Sequence, residues 1–233
     1  MKNNREWYLA QIVQEFRLSS EKESTVYINF VLIQADSKEE AYIHALEIGE
    51  DVNFSSEGGT QSQFIGLHDL SYIHKRLNHG TIILSERKEY KSEEHVEQLV
   101  RPKERYNIFA PIPSNEDLPE RPAFIPADAE WYLAEIVETT LRNNMTLLQL
   151  IILLVHAFSP QEAYEKSLVL GKYFNKSDDE GIHTFKGLRD ISVIHGSLGH
   201  GEEITYETFS ELTKEQISAL TKSKSELSIF RTQ

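Results

Sequence analysis

Asp69, Ser71 and His74 fall within one short stretch, and Asp190, Ser192 and His195 repeat the set later in the chain. These are the residue types of a hydrolytic triad, in which a serine attacks, a histidine takes its proton and a carboxylate orients the imidazole. Their crowding argues against that chemistry. A triad converges from separate elements, with the nucleophile on a strained turn beside oxyanion donors, and the chain contains no G-x-S-x-G elbow. Asp and Ser side chains at strand ends bond nearby backbone donors, and this turn chemistry is the role expected of Asp69 and Asp190.

The histidines form a second constellation. His74 and His79 recur as His195 and His200, each pair within I-H-x-x-x-x-H-G. Their spacing is not the i, i+4 arrangement that puts two imidazoles on one helical face. In a turn they would still be able to converge on a metal, with Asp69 supplying a carboxylate. A structural histidine capping a tight turn accounts for the recurrence equally well, and no metal is expected. Trp7 and Trp131 open two further matching blocks, each beside a tyrosine. On a strand such neighbours face opposite sides, so one ring anchors the core and the other is available as a platform for a ligand or partner.

Other chemistries are excluded by composition. The chain has no cysteine, which removes disulfides, thiol catalysis and cysteine-ligated zinc together. Gly58-Gly59 is an isolated pair, and neither phosphate-binding glycine pattern occurs. No catalytic residue and no cofactor is therefore expected.

The elements that position these residues come from an internal repeat. EWYLAQIV at 6–13 returns as EWYLAEIV at 130–137, and ADSKEEAYIHALEIG at 35–49 as AFSPQEAYEKSLVLG at 157–171. FIGLHDLSYIHKRLNHG at 64–80 returns as FKGLRDISVIHGSLGHG at 185–201, ten of seventeen residues being identical. The offset shrinks from block to block, so the deletions fall where loops belong. Each copy reads as β-β-α-β-β-α. Strands are expected at about 7–16, 26–35, 63–73 and 81–88, and at the matching positions of the second copy. The first helix begins at an S-x-x-E capping box, Ser37 with Glu40 and Ser159 with Glu162, and presents Ala41, Tyr42, Ala45 and Leu46 on one face. Gly49 and Gly171 end this helix or allow close packing, and Gly66 and Gly187 mark a bulge or a close backbone approach. The closing helix starts at Ser92 or Thr213, where Thr213 and Gln216 make another capping box.

The fold class is thus α+β: two tandem ββαββα domains, each a four-stranded antiparallel sheet with helices on one face. The order of elements is a permuted ferredoxin-like one, and the copies are expected to form a pseudo-two-fold pair of complete domains. The boundaries are 1–101 for the first repeat, 102–128 for a linker, 129–222 for the second repeat and 223–233 for a C-terminal tail. The linker holds six of the seven prolines. Its Tyr106, Ile108, Phe109, Phe124 and Ile125 are too apolar for a solvated tether and should pack on the domains. Leu147 to Val155 is apolar almost throughout, which predicts a strand buried on both faces. Homo-oligomerisation through the second repeat is one way to cover it.

The net charge of −13 is spread along the chain, so neither repeat has the basic footprint of a nucleic-acid or anionic-membrane binder. No apolar run is long enough to span a bilayer, no signal-peptide core follows Met1, and a cytoplasmic setting is expected. The blocks W-Y-x-A, A-x-S-x-x-E-A-Y and F-x-G-L-x-D-[LI] followed by H-G resemble a family of small bacterial domains of unknown function, in tandem copies. That resemblance implies the domain boundaries and a bacterial cytoplasmic origin, and brings no catalytic residues with it. The first copy departs from the pattern at Gly80-Thr81-Ile82, where the second has an acidic pair after its glycine.

On these grounds the leading expectation is a non-enzymatic, acidic interaction protein that regulates or neutralises a protein partner, in the manner of an immunity protein. A basic partner would be drawn by electrostatic steering. A small-molecule sensor with a pocket between the repeats is the alternative, lined by Trp7, Trp131 and the histidines. A metal-dependent enzyme using the His/Asp turn is a third.

Overall fold

The computed structural model describes residues 5–17, 24–56, 59–109, 125 and 129–231. Ten strands and four α-helices follow one another in two similar series. The first comprises β1 (Glu6–Arg17), β2 (Ser24–Ala35), α1 (Lys38–Asp51), β3 (Phe54–Ser55), β4 (Gln61–His74), β5 (Ile82–Lys88) and α2 (Glu93–Leu99). The second comprises β6 (Trp131–Arg142), β7 (Met145–His156), α3 (Pro160–Lys172), β8 (Lys176–Asp178), β9 (Gly181–Val193), β10 (Glu203–Ser210) and α4 (Lys214–Ala219). The α+β class and the antiparallel pairing match the sequence reading. β3 and β8 are short additions whose two or three residues carry no periodic signal.

Each sheet has five strands, not four. Their orders are β10-β2-β1-β4-β3 and β5-β7-β6-β9-β8, so each repeat gives its last strand to the other repeat's sheet. The chain accordingly divides into one compact unit of residues 1–77 and 196–233 and another of residues 78–195. These units cut across the repeat boundaries drawn at 101 and 129. The reason is physical: β2 and β7 are copies of one another and offer the same edge, so strand five has two chemically equivalent slots and pattern alone does not choose between them.

The helices form where the capping chemistry predicts. Ser37 Oγ accepts the Glu40 N–H and Ser159 Oγ the Glu162 N–H. The return arm differs from a capping box, because Glu40 takes the N–H of Asp36 and Glu162 that of Phe158, one residue before the cap. Thr213 and Gln216 do close a reciprocal box. Along α1 the buried face is Ala41, Ala45 and Gly49, and along α3 it is Ala163, Ser167 and Gly171. These small residues let the helix sit close to the sheet. A Cβ on Gly49 would come within 2.5 Å of the Phe64 ring, and one on Gly171 equally close to Phe185.

In the first unit, Tyr8, Ala10 and Ile12 of β1 and Val31 and Ile33 of β2 pack against α1. In the second, Tyr132, Ala134, Ile136, Ile151, Leu153 and Val155 do the same beneath α3. The opposite face of the second sheet carries another cluster, in which Val96 of α2 covers Val137, Leu148 and Leu150. The expectation of helices on one face therefore needs correcting, since α2 of the first repeat covers the far face of the second sheet. This also accounts for the continuous apolar run in β7, and each aliphatic side chain so buried contributes about 1.5–3 kcal/mol relative to exposure. Within β7, Leu153 faces α3 and Ile152 lies on the far side, half-buried.

The proline-rich segment begins as part of the core. Tyr106 and Ile108 are buried, and Phe109 and Ile125 pack on the same cluster; Phe124 lies outside the described residues. In the first unit Leu227, Ile229 and Phe230 take the corresponding places. Lys103-x4-Ile108-Phe109 and Lys224-x4-Ile229-Phe230 are thus the end of the repeat, which runs on to Phe230. Each lysine lies over two rings, Lys103 over Phe109 and Tyr164, Lys224 over Phe230 and Tyr42.

Candidate functional site

Three local arrangements account for the residues singled out in the sequence. The first seats the exchanged strand. Gly201 N–H donates to Leu32 O at 2.8 Å and Leu32 N–H to Glu202 O at 2.9 Å, and in the other unit Gly80 and Thr81 bond Leu154 in the same way. The glycines have φ of 84° and 83°, in the left-handed region. One residue earlier, His200 Nδ1 accepts the Gln34 N–H at 3.0 Å, and His79 Nδ1 accepts the His156 N–H at 3.2 Å. The H-G dipeptide is therefore a latch that extends the ladder beyond the strand. Both imidazoles are held neutral. Burial lowers the pKa of His200, helped by His44, whose ring lies 4.9 Å away, and by Arg5, against Glu40 and Glu47. Burial lowers that of His79, helped by Lys166 and His156.

His74 and His79 do not serve one turn. His74 ends β4 in the first unit, exposed, its Nδ1 accepting the Arg76 N–H, whereas His79 belongs to the second unit. His195 and His200 divide in the same manner, His195 being exposed in the second unit. Among the described residues no three His, Cys, Asp or Glu side chains gather as a metal-holding group.

The second arrangement holds the end of each repeat against its sheet. Asp69 Oδ1 accepts the N–H groups of Leu70 and Ser228, and Oδ2 accepts the Ser228 hydroxyl. Asp190 Oδ1 likewise accepts from Ile191 and Asn107, with Arg101 at 3.7 Å. Burial raises the Asp190 pKa, opposed by the two backbone donors and then by Arg101 and Arg189. Just before the aspartates, Gly66 and Gly187 have φ of 153° and 152° and lie against Thr221 and Val100. The F-x-G-L-x-D block is thus an anchor: glycine admits the returning chain and aspartate binds its amides.

The third arrangement is aromatic and differs between the copies. In the second unit the rings of Trp131 and His156 are 4.9 Å apart and those of His156 and Phe158 5.0 Å, all edge-on. Phe158 is 69% exposed. In the first repeat Trp7 is half-buried at the matching strand position, but Gln34 and Asp36 replace the other two rings.

Two features were not legible in the sequence. A buried polar cluster joins Glu138, Thr140 and His183, with His183 Nδ1 2.7 Å from Glu138 Oε1 and Nε2 3.3 Å from Asp178. Lys176 holds the Asp178 carboxyl down at about 2. The other is a cleft of about 560 Å³ in the first unit, bordered by Tyr8, Tyr72, Lys38, Ser71, Ser228 and Arg231. Burial and the neighbouring Glu6 push Tyr8 up to about 12, so its hydroxyl stays protonated. These residues come from β1, the start of α1, the end of β4 and the last described residues, and no local motif connects them.

Residues 7–85 match the model of a domain of unknown function (DUF4288). The matched stretch ends inside β5, so it includes β1 to β4 of the first unit and the start of the strand given to the other sheet. The comparison with curated proteins returns no match, and neither does that with solved structures. No helix among the described residues is long and apolar enough to cross a membrane.

Proposed function

We propose that the protein is a non-enzymatic binding protein whose partner is another protein with a basic docking surface, which it regulates or neutralises. The observation that supports this best is the ring stack of Trp131, His156 and Phe158, half-buried at its base and exposed at Phe158. Large rings on a rigid strand end lose little side-chain entropy on association, and such side chains dominate the binding energy of protein interfaces. A phenylalanine at 69% exposure leaves most of its apolar surface in water. The net charge of −13 favours a basic partner by speeding encounter and discouraging acidic ones.

Affinity capture from the native host, run in parallel with wild type and Phe158→Asp, tests this reading. A basic protein recovered by the wild type and lost with the variant, and released as salt rises, is the expected result. Recovery of the same proteins by both forms would count against the ring stack as the docking surface.

A further inference from the structure

We propose that the cleft of the first unit binds a small molecule made of a flat apolar ring and a carboxylate or phosphate. Its volume of about 560 Å³ lies in the range of small-molecule sites, roughly 300–1,000 Å³. The site is independent of the ring stack in the second unit. Tyr72 stands edge-on to Tyr8 at 5.7 Å between centroids and is 47% exposed, so a ring face is open to a stacked ligand.

The cations define the other half of the ligand. Lys38 and Arg231 both border the cleft, and among the described residues neither has a carboxylate oxygen within 4 Å. Arg231 is oriented by its Nε, which donates to Glu226 O, and this leaves both terminal amino groups for an anion. The Lys38 ammonium lies over the Phe230 ring, 5.1 Å from its centroid. Of the nearby acids, Glu6 is bonded to the Tyr8 hydroxyl, Glu39 also acts on Tyr8, and Glu226 interacts with Arg231 from beyond ion-pair distance. Ser71 adds a hydroxyl; the Ser228 hydroxyl is spent on Asp69.

The second repeat acts as an internal control. It keeps Tyr132 for Tyr8, Ser192 for Ser71, Asp190 for Asp69 and Ile108 for Ile229. It changes the ring and the cation that would meet the ligand: Val193 replaces Tyr72 and Pro160 replaces Lys38. The shared residues alone therefore do not require an exposed tyrosine and a lysine at this place.

Titrating the full chain with 2-naphthoate and phenyl phosphate, followed by calorimetry and by amide shifts in NMR spectra, tests the proposal. Both anions should bind with shifts centred on Ser71, Tyr72 and Ser228, and neutral 2-naphthamide should bind about tenfold more weakly. Tyr72→Ala and the double change Lys38→Met with Arg231→Met should each weaken naphthoate about tenfold. Melting temperatures close to wild type would show that these exposed changes leave the fold intact. Absence of binding by both anions, equal binding of the amide, or unchanged affinity in the variants would overturn the assignment.

Discussion

His200 Nδ1 accepts the backbone N–H of Gln34 at 3.0 Å, across 166 residues of chain. The bond exists because the last strand of the second repeat lies on the edge strand of the first, and His79 with His156 makes its counterpart. The two repeats therefore hold one another by backbone ladders, with the histidines fastening the ends.

Cutting the chain between Phe109 and Ile125 should leave the two halves associated. Each sheet would lose a strand if they parted, and the unpaired edges and uncovered apolar faces would oppose this. Size-exclusion chromatography of the nicked protein should show one species at the intact mass. Two separate, folded halves would mean that the strands are not exchanged in solution.

The latches should make stability depend on pH. Both histidines have pKa values lowered on folding, so their contribution is fully present above the unfolded value of about 6.5 and is lost as pH falls toward the folded values. Protonation at Nδ1 also removes the acceptor that Gln34 and His156 use. Thermal unfolding should therefore weaken from pH 7 to pH 5, and His79→Gln with His200→Gln should flatten that slope. An unchanged slope in the double variant would assign the pH effect to other groups.

Asp190→Ala should destabilise the protein by about 1.5–3 kcal/mol, the usual effect of losing hydrogen bonds to a charged group. The Asn107 and Ile191 amides lose their acceptor, and Arg101 loses its partner. Denaturant unfolding measures the change, and hydrogen exchange at Asn107 should accelerate. A variant as stable as wild type, with Asn107 still protected, would show that the anchor is dispensable.

Gly187→Ala combines two penalties. Its φ of 152° is rarely adopted by residues with a side chain, and the new Cβ would lie 2.5 Å from Val100. The strain should amount to about 1–3 kcal/mol, with the clash in addition. Val100→Ala in the same chain should recover the clash alone, leaving the double variant between wild type and Gly187→Ala. Full recovery would assign the whole effect to crowding.

The repeat, the strand and helix positions and the caps at Ser37, Ser159 and Thr213 follow from the sequence alone. They depend on periodicity and on side chains that bond amides a few residues away, so the information is local. So do the glycines at 49, 171, 66 and 187, although their partners Phe64, Phe185, Thr221 and Val100 appear only in three dimensions. The destination of β5 and β10 was decided by tertiary structure. Two similar repeats offer each strand two matching edges, and the sequence pattern does not choose between them. His79 and His200 consequently read as turn residues when they are latches between the repeats, each within a single sheet. The cleft is invisible for a related reason: Tyr8, Lys38, Tyr72 and Arg231 span almost the whole chain. Only the returning segment, held by Asp69 at Ser228, brings Arg231 to the others.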